Sequence, residues 1–258
     1  MSQDTLQGMR KAQEREMLPS VDLYPQVEYA GRKIDAHAFG PNTYDDNIAS
    51  MQKRYFHSND LPNFTFKPLS TAESLAVASY NFASLAKLQI FDSKWLQAGR
   101  IVKTQEGVWM NPLRDLEGNI IIDNKELESH LNGVKKSNGI YLLDNDVSFV
   151  PYGSFERGVQ EHGKFLEGGL ARGLVHTQDK KVDALSAIAN DAEYPRQVNV
   201  FGFDSVKEPL VEVVGLVSFR DVDCERLDVV GDYWDYYGGF AFGGLVLDSG
   251  EASAQKIE

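Results

Sequence analysis

Three apolar, β-prone runs close the chain, Gln197–Phe203, Leu210–Phe219 and Gly239–Leu247, and they restrict the fold more than any other feature. Each is rich in Val, Leu and Phe and bounded by turn-forming residues, the pattern of strands buried on at least one face. Strands of this kind must pair their backbone groups and cover an apolar face with something else. The covering element is legible upstream. Ser70-Thr71-Ala72-Glu73 is a capping box, in which the Ser hydroxyl takes one free backbone N–H and the Glu carboxylate reaches back for another. The helix it opens, Thr71–Ile90, carries Leu75, Ala78, Phe82 and Leu85 at helical spacing. Its other faces hold Ala76, Val77, Ala83, Ala86 and Leu88, so the helix is apolar nearly all round and is expected to be central and buried. Helices fall mostly before the strands, and the strands read as hairpin-joined. The expected class is α+β, a mostly antiparallel sheet from the C-terminal strands packed on the 71–90 helix.

The remaining chain is read around that body. Residues 1–18 form a helix or tail with few apolar side chains. Between positions 19 and 68 lie five of the nine prolines, interleaved with aromatics, which predicts an extended arm wrapping the core, with one short helix around Asp45–Tyr55. Arg100–Lys103 and Val108–Met110 predict a hairpin about Gln105-Glu106-Gly107. Ile120–Ile122 reads as a short strand, and Asp123 as the cap of a helix running to Lys136. Gly139–Leu143 and Val147–Val150 are strands, and Ser154–Val175 predicts two short helices with a bend at its glycines. Asp179–Asp191 completes the helices. Residues 19–248 are expected to form one domain and 249–258 a loose polar tail.

Charge narrows the functional classes. The 38 acidic and 26 basic residues give a net charge of -12, which repels phosphate backbones unless a local basic patch intervenes. Along the sequence no basic run is longer than an isolated pair such as Lys135–Lys136 or Lys180–Lys181. Nucleic acid and membrane are therefore not expected as partners. The single cysteine, Cys224, excludes an intramolecular disulfide and a cysteine-rich zinc module. The first residues are polar, without the apolar core of a secretory signal, which predicts a soluble, cytoplasmic protein.

Four stretches carry chemistry-bearing side chains. In Ile140–Asp146 an apolar strand runs into Asp144-Asn145-Asp146. Two carboxylates at a strand end can share one divalent ion, Mg2+, Mn2+ or Ca2+, and the same residues also suit a hairpin turn. Locally this resembles the Asp-x-Asp motif of nucleotide-sugar glycosyltransferases, a likeness that implies a metal bridging the phosphates of a sugar nucleotide. In Asp221–Asp232 the oxygen-bearing Asp221, Asp223 and Glu225 stand at alternate positions, as in a calcium loop, although Arg226 occupies the place of the turn glycine. The other reading of this stretch is a solvated acidic loop. Tyr233, Trp234, Asp235, Tyr236 and Tyr237 place rings beside carboxylates, suited to stacking on a sugar or gripping a partner. They equally suit a half-buried strand edge. Gly168–Gly173 with Arg172 lacks the spacing of a phosphate-binding loop and reads as packing glycines at a helix bend.

No stretch assembles a complete acid–base or nucleophile set. The expectation is therefore a non-catalytic binding or assembly protein that presents its acidic-aromatic surface, Tyr233–Phe240, to a protein partner or small ligand. The alternative is a divalent-metal-dependent transferase or hydrolase built on Asp144 and Asp146, helped by the 221–232 loop.

Overall fold

The computed structural model describes residues 27–57, 66–83, 95–144, 146–177, 185–186, 188, 197–219, 226–232 and 239–248. Among these, twelve strands form one sheet and five helices accompany it, a strand-dominated mixture of α and β. In chain order they are β1 (Val27–Tyr29), β2 (Arg32–Asn42), α1 (Tyr44–His57), β3 (Phe66–Pro68), α2 (Thr71–Ala83), β4 (Trp95–Lys103) and β5 (Gly107–Met110). There follow α3 (Asn124–Ser129), β6 (Tyr141–Leu142), β7 (Ser148–Pro151), β8 (Gly158–Glu161), α4 (His162–Glu167) and α5 (Gly169–Leu174). The last four are β9 (Gln197–Phe201), β10 (Leu210–Phe219), β11 (Arg226–Val230) and β12 (Gly239–Asp248).

The main path of the sheet runs β1-β2-β12-β4-β10-β11-β9-β8, with β3 on β12 and with β5, β7 and β6 continuing from β4. Pairing is antiparallel except between β9 and β11 and in the short contact of β4 with β12. The three closing runs of the sequence are strands β9, β10 and β12. The acid-rich stretch between the last two, expected as a loop, supplies a further strand, β11. Leu227, Val229 and Val230 give β11 its buried apolar character, and Asp228 is itself buried, accepting from Arg226 Nε at 2.7 Å.

Alternation along the strands sends side chains to two faces. Ile34, Ala36 and Ala38 of β2, Val214 and Leu216 of β10, and Phe240 and Phe242 of β12 enter one apolar cluster with Leu75–Ala78 of α2 and Leu170, Ala171 and Leu174 of α5. Phe39, Val213 and Ala241 instead meet Tyr44 and Met51 of α1. Helices thus cover the sheet from both sides, and all of Thr71–Ala78 is buried. The capping box forms as written: Glu73 N–H donates to Ser70 Oγ at 3.2 Å, and Ser70 N–H donates to Glu73 Oε2 at 2.8 Å.

Three stretches differ from expectation. Over 19–68, where an arm wrapping the core is expected, the described strands are woven into the sheet, β2 lying between β1 and β12, while the short helix expected around Asp45–Tyr55 is α1. Its prolines do not prevent this because Pro41 and Pro68 stand at strand ends, where a missing ladder donor is tolerated. Asp123 caps its helix as predicted, its side chain accepting from Glu126 N–H, but the helix stops at Ser129, short of Lys136. Over 154–175 the two short helices expected there form as α4 and α5, broken at Gly168, but they begin only at His162: Gly158, at φ +87, turns the residues before them into β8, paired antiparallel with β9.

The relation that positions the site is a fork. One edge of β12 pairs with β2 along its length. The other edge pairs with β4 only at Gly239 and Phe240, and then with β3 from Gly243 to Leu245. Beyond Phe240, β4 and β12 therefore part, and β3 and the start of α2 stand in the opening. Gly99 of β4 is what lets α2 come so close, since a Cβ there would lie 2.4 Å from Thr71 Oγ1 and 3.3 Å from the Thr71 backbone nitrogen.

Candidate functional site

The fork contains a pocket of about 340 Å³. Its walls come from α1 (Tyr44, Ile48), β3 and the cap of α2 (Lys67 to Ser70), β4 (Gly99, Arg100) and the segment after β5 (Asn111, Pro112, Arg114), with Arg32 and Asp146 at its other end. Four of these side chains are cations: Arg32, Lys67, Arg100 and Arg114.

The Arg32 end is a compact ion network. Nη2 of Arg32 lies 2.9 Å from both Asp146 oxygens, and Nη1 lies 3.1 Å from Glu73 Oε1. That second contact is an ion pair without hydrogen-bond alignment, since Oε1 has no hydrogen-bond partner. Lys67 Nζ approaches the same oxygen at 3.5 Å, and Ser70 Oγ donates to Asp146 Oδ2 at 3.2 Å. The Arg32 guanidinium also lies over the ring of Tyr29, 5.6 Å from its centroid. Burial works against the Arg32 charge, but its hydrogen bond to Asp146 and the charges of Asp146 and Glu73 outweigh that, and its pKa is raised. Burial, followed by the charge of Asp146, pushes the Tyr29 hydroxyl well above its ordinary value, so it stays protonated and donates to Val175 O at 2.9 Å.

At the Arg100 end, Arg100 pairs with Asp45 and its guanidinium lies over the Tyr44 ring, 5.5 Å from the centroid. Burial pushes the Tyr44 hydroxyl up to about 12, although Arg100 and Arg114 act to lower it, so at neutral pH it is a donor and not a base. Arg114 donates to Gly118 O at 2.6 Å and lies in an ion pair with no carboxylate among the described residues. Buried Asn47 fixes this end: Nδ2 donates to Gln97 Oε1 at 2.8 Å and to Gly239 O at 3.0 Å, tying α1 to both strands where they part.

The residues singled out in the sequence fall differently. Asp146 is at the pocket, on a turn with φ +61, its carboxylate engaged by Arg32 and Ser70. A divalent ion there would have to share it with a guanidinium. Asp144 is exposed beside it. Among the described residues no three His, Cys, Asp or Glu side chains gather as a metal group. Asp221, Asp223 and Glu225, and Tyr233, Trp234, Asp235, Tyr236 and Tyr237, lie outside the described residues. Asp232 accepts from Lys103 Nζ at 2.9 Å. The 168–173 glycines serve packing, since a Cβ at Gly169 would lie 2.3 Å from Ser154 Oγ and one at Gly173 2.2 Å from Val150 Cγ2.

The four pocket cations were not legible as a group. They are scattered from position 32 to position 114, each in a different stretch, and only the fork brings them together. The expectation of no local basic patch is corrected to that extent. No family model, curated protein or solved structure matches this chain. No helix among the described residues is long and apolar enough to cross a membrane.

Proposed function

We propose that this protein binds a small anionic ligand in the pocket at the fork of its sheet. The observation that carries the reading is the convergence of four cations on one pocket, in a chain whose net charge is -12, with only three carboxylates paired to them among the described residues. Glu73 and Asp146 serve Arg32 and Lys67, Asp45 serves Arg100, and Arg114 is left over. Arg32 and Arg100, partly buried among apolar walls (Tyr44, Ile48, Pro68, Leu69, Pro112), act through a lower dielectric than the more exposed Lys67 and Arg114, and together the four attract anions locally against the field of the whole molecule. Its volume falls within the range of small-molecule sites, roughly 300–1,000 Å³.

Calorimetric titration of the whole chain with benzoate and with phenyl phosphate tests the reading. At least one of them is expected to saturate at one site per chain and to lose ~10-fold or more in affinity in Arg114→Gln, one charge-assisted contact being worth roughly 1.5–3 kcal/mol. Binding by neither anion, or equal binding by the variant, overturns it.

A further inference from the structure

We infer that the ligand of this pocket is a phosphate monoester with a small apolar body, bound as its dianion between Arg100 and Arg114. The inference rests on the anion-binding reading above and narrows it to one ligand class.

The charge balance argues for a dianion. Glu73 is fully buried and the Asp146 side chain is 12% exposed. Both are held in place, Glu73 by the capping box and Asp146 by Arg32 and Ser70. These two acids neutralise Arg32 and Lys67. The third acid, Asp45, has its side chain 62% exposed on the first turn of α1 and meets Arg100 at the surface, where ion pairs contribute little and exchange readily. With Asp45 turned into solvent, Arg100 and Arg114 present two uncompensated charges. A carboxylate would leave one of them unmatched, whereas a phosphate monoester, carrying up to two negative charges with a second pKa near 6, matches both.

Geometry agrees. Arg100 lies over the Tyr44 ring, and Arg114 lines the same pocket as both. The Tyr44 hydroxyl remains a donor, and planar guanidinium forks suit the several oxygens of a phosphate. The N-terminus of α2, thirteen residues long, opens on the same pocket through Ser70 and adds the positive end of its dipole. Pro68, Leu69, Ile48 and Pro112 remain for the organic group, which distinguishes an ester from free phosphate.

The test compares phenyl phosphate, benzoate and inorganic phosphate by calorimetry on the whole chain at pH 7.5 and pH 5. Phenyl phosphate is expected to bind at least ~10-fold tighter than either of the others at pH 7.5, and to lose about 10-fold by pH 5 as its dianion is protonated. Benzoate is expected to lose no affinity over that interval. Around the clamp the protein groups are Arg32, Lys67, Arg100 and Arg114, the acids Asp45, Glu73 and Asp146, and Tyr44. Behind Asp146 lies His176, whose protonation in acid would add positive charge and favour an anion. Protonating the acids acts the same way, so a loss at low pH belongs to the ligand. Asp45→Asn, which removes the competing carboxylate, is expected to tighten phenyl phosphate severalfold with unchanged thermal stability. Equal affinity for benzoate and phenyl phosphate overturns the ester class and leaves the anion pocket standing. Equal affinity for inorganic phosphate overturns the apolar body. Weaker binding in Asp45→Asn overturns the proposed clamp, and binding by none of the three removes the pocket reading itself.

Discussion

The Arg32 guanidinium holds both carboxylate oxygens of Asp146 at 2.9 Å across 114 positions of sequence, and with its other terminal nitrogen it faces the fully buried Glu73. One side chain thereby ties β2 to the β6–β7 turn and to the cap of α2.

Removing that arginine is therefore expected to cost more than its partly exposed position suggests. In Arg32→Met, Glu73 stays buried with only Lys67 at 3.5 Å to oppose its charge. Stripping one partner from a buried pair typically costs roughly 3–5 kcal/mol, most of it from the charge left behind. The double variant Arg32→Met/Glu73→Gln keeps an acceptor for the Ser70 N–H and removes the stranded charge, so it is expected to recover part of the loss. Urea unfolding of both variants and of Glu73→Gln decides the matter. A double variant as unstable as the sum of the two singles would show the pair to be uncoupled.

Gly99 sets the depth of the fork. A methyl group there would meet Thr71 Oγ1 at 2.4 Å, and Thr71 Oγ1 is buried without a hydrogen-bond partner. Gly99→Ala is expected to destabilise by about 1–3 kcal/mol, the usual cost of overpacking. Because the hydroxyl makes no bond in place, Gly99→Ala/Thr71→Ala is expected to be more stable than Gly99→Ala alone. Thermal unfolding of both proteins tests this, and an absence of rescue would place the obstruction in the backbone of α2.

What could be foreseen followed from local chemistry. The Ser70–Glu73 capping box, the Asp123 cap and the β4–β5 hairpin each depend on residues within a few positions of one another, and each forms as the sequence spells it. β11 was hidden because its strand signal, Leu227, Val229 and Val230, is interrupted by Asp228. Within a single sequence, nothing marks that acid as one neutralised by Arg226 inside a sheet rather than as loop. The parallel pairing of β9 with β11, and the parting of β4 from β12, are decisions of tertiary packing between distant segments. The site inherits that illegibility. Arg32, Lys67, Arg100 and Arg114 belong to four separate elements and loops, and none carries a local mark of the others. Ser70 and Glu73, read correctly as a helix cap, gave no sign that their far side faces two cations.

The proximity of His176 to this network yields a pH dependence whose sign can be worked out. Burial lowers its pKa below the ordinary 6.5, with Arg32 acting in the same direction. The nearby Asp146 and Asp144 and the hydrogen bond to Leu143 only partly oppose them. A histidine whose pKa is depressed by folding binds its proton more readily in the unfolded chain. Its contribution is therefore complete above about pH 6.5 and is lost as the pH falls toward the folded value, at no more than about 1.4 kcal/mol per pH unit. The residue has φ +49, a left-handed conformation that asparagine adopts with little strain, so His176→Asn removes the titration while sparing the backbone. Between pH 7.5 and pH 5 the wild-type chain is expected to lose more stability in urea than His176→Asn does, with the two curves running parallel above pH 7. An NMR titration of the imidazole supplies the independent check. A midpoint at or above 6.5 would mean that Asp146 and Asp144, and not burial, govern this histidine, and the predicted difference in slope would then vanish or reverse.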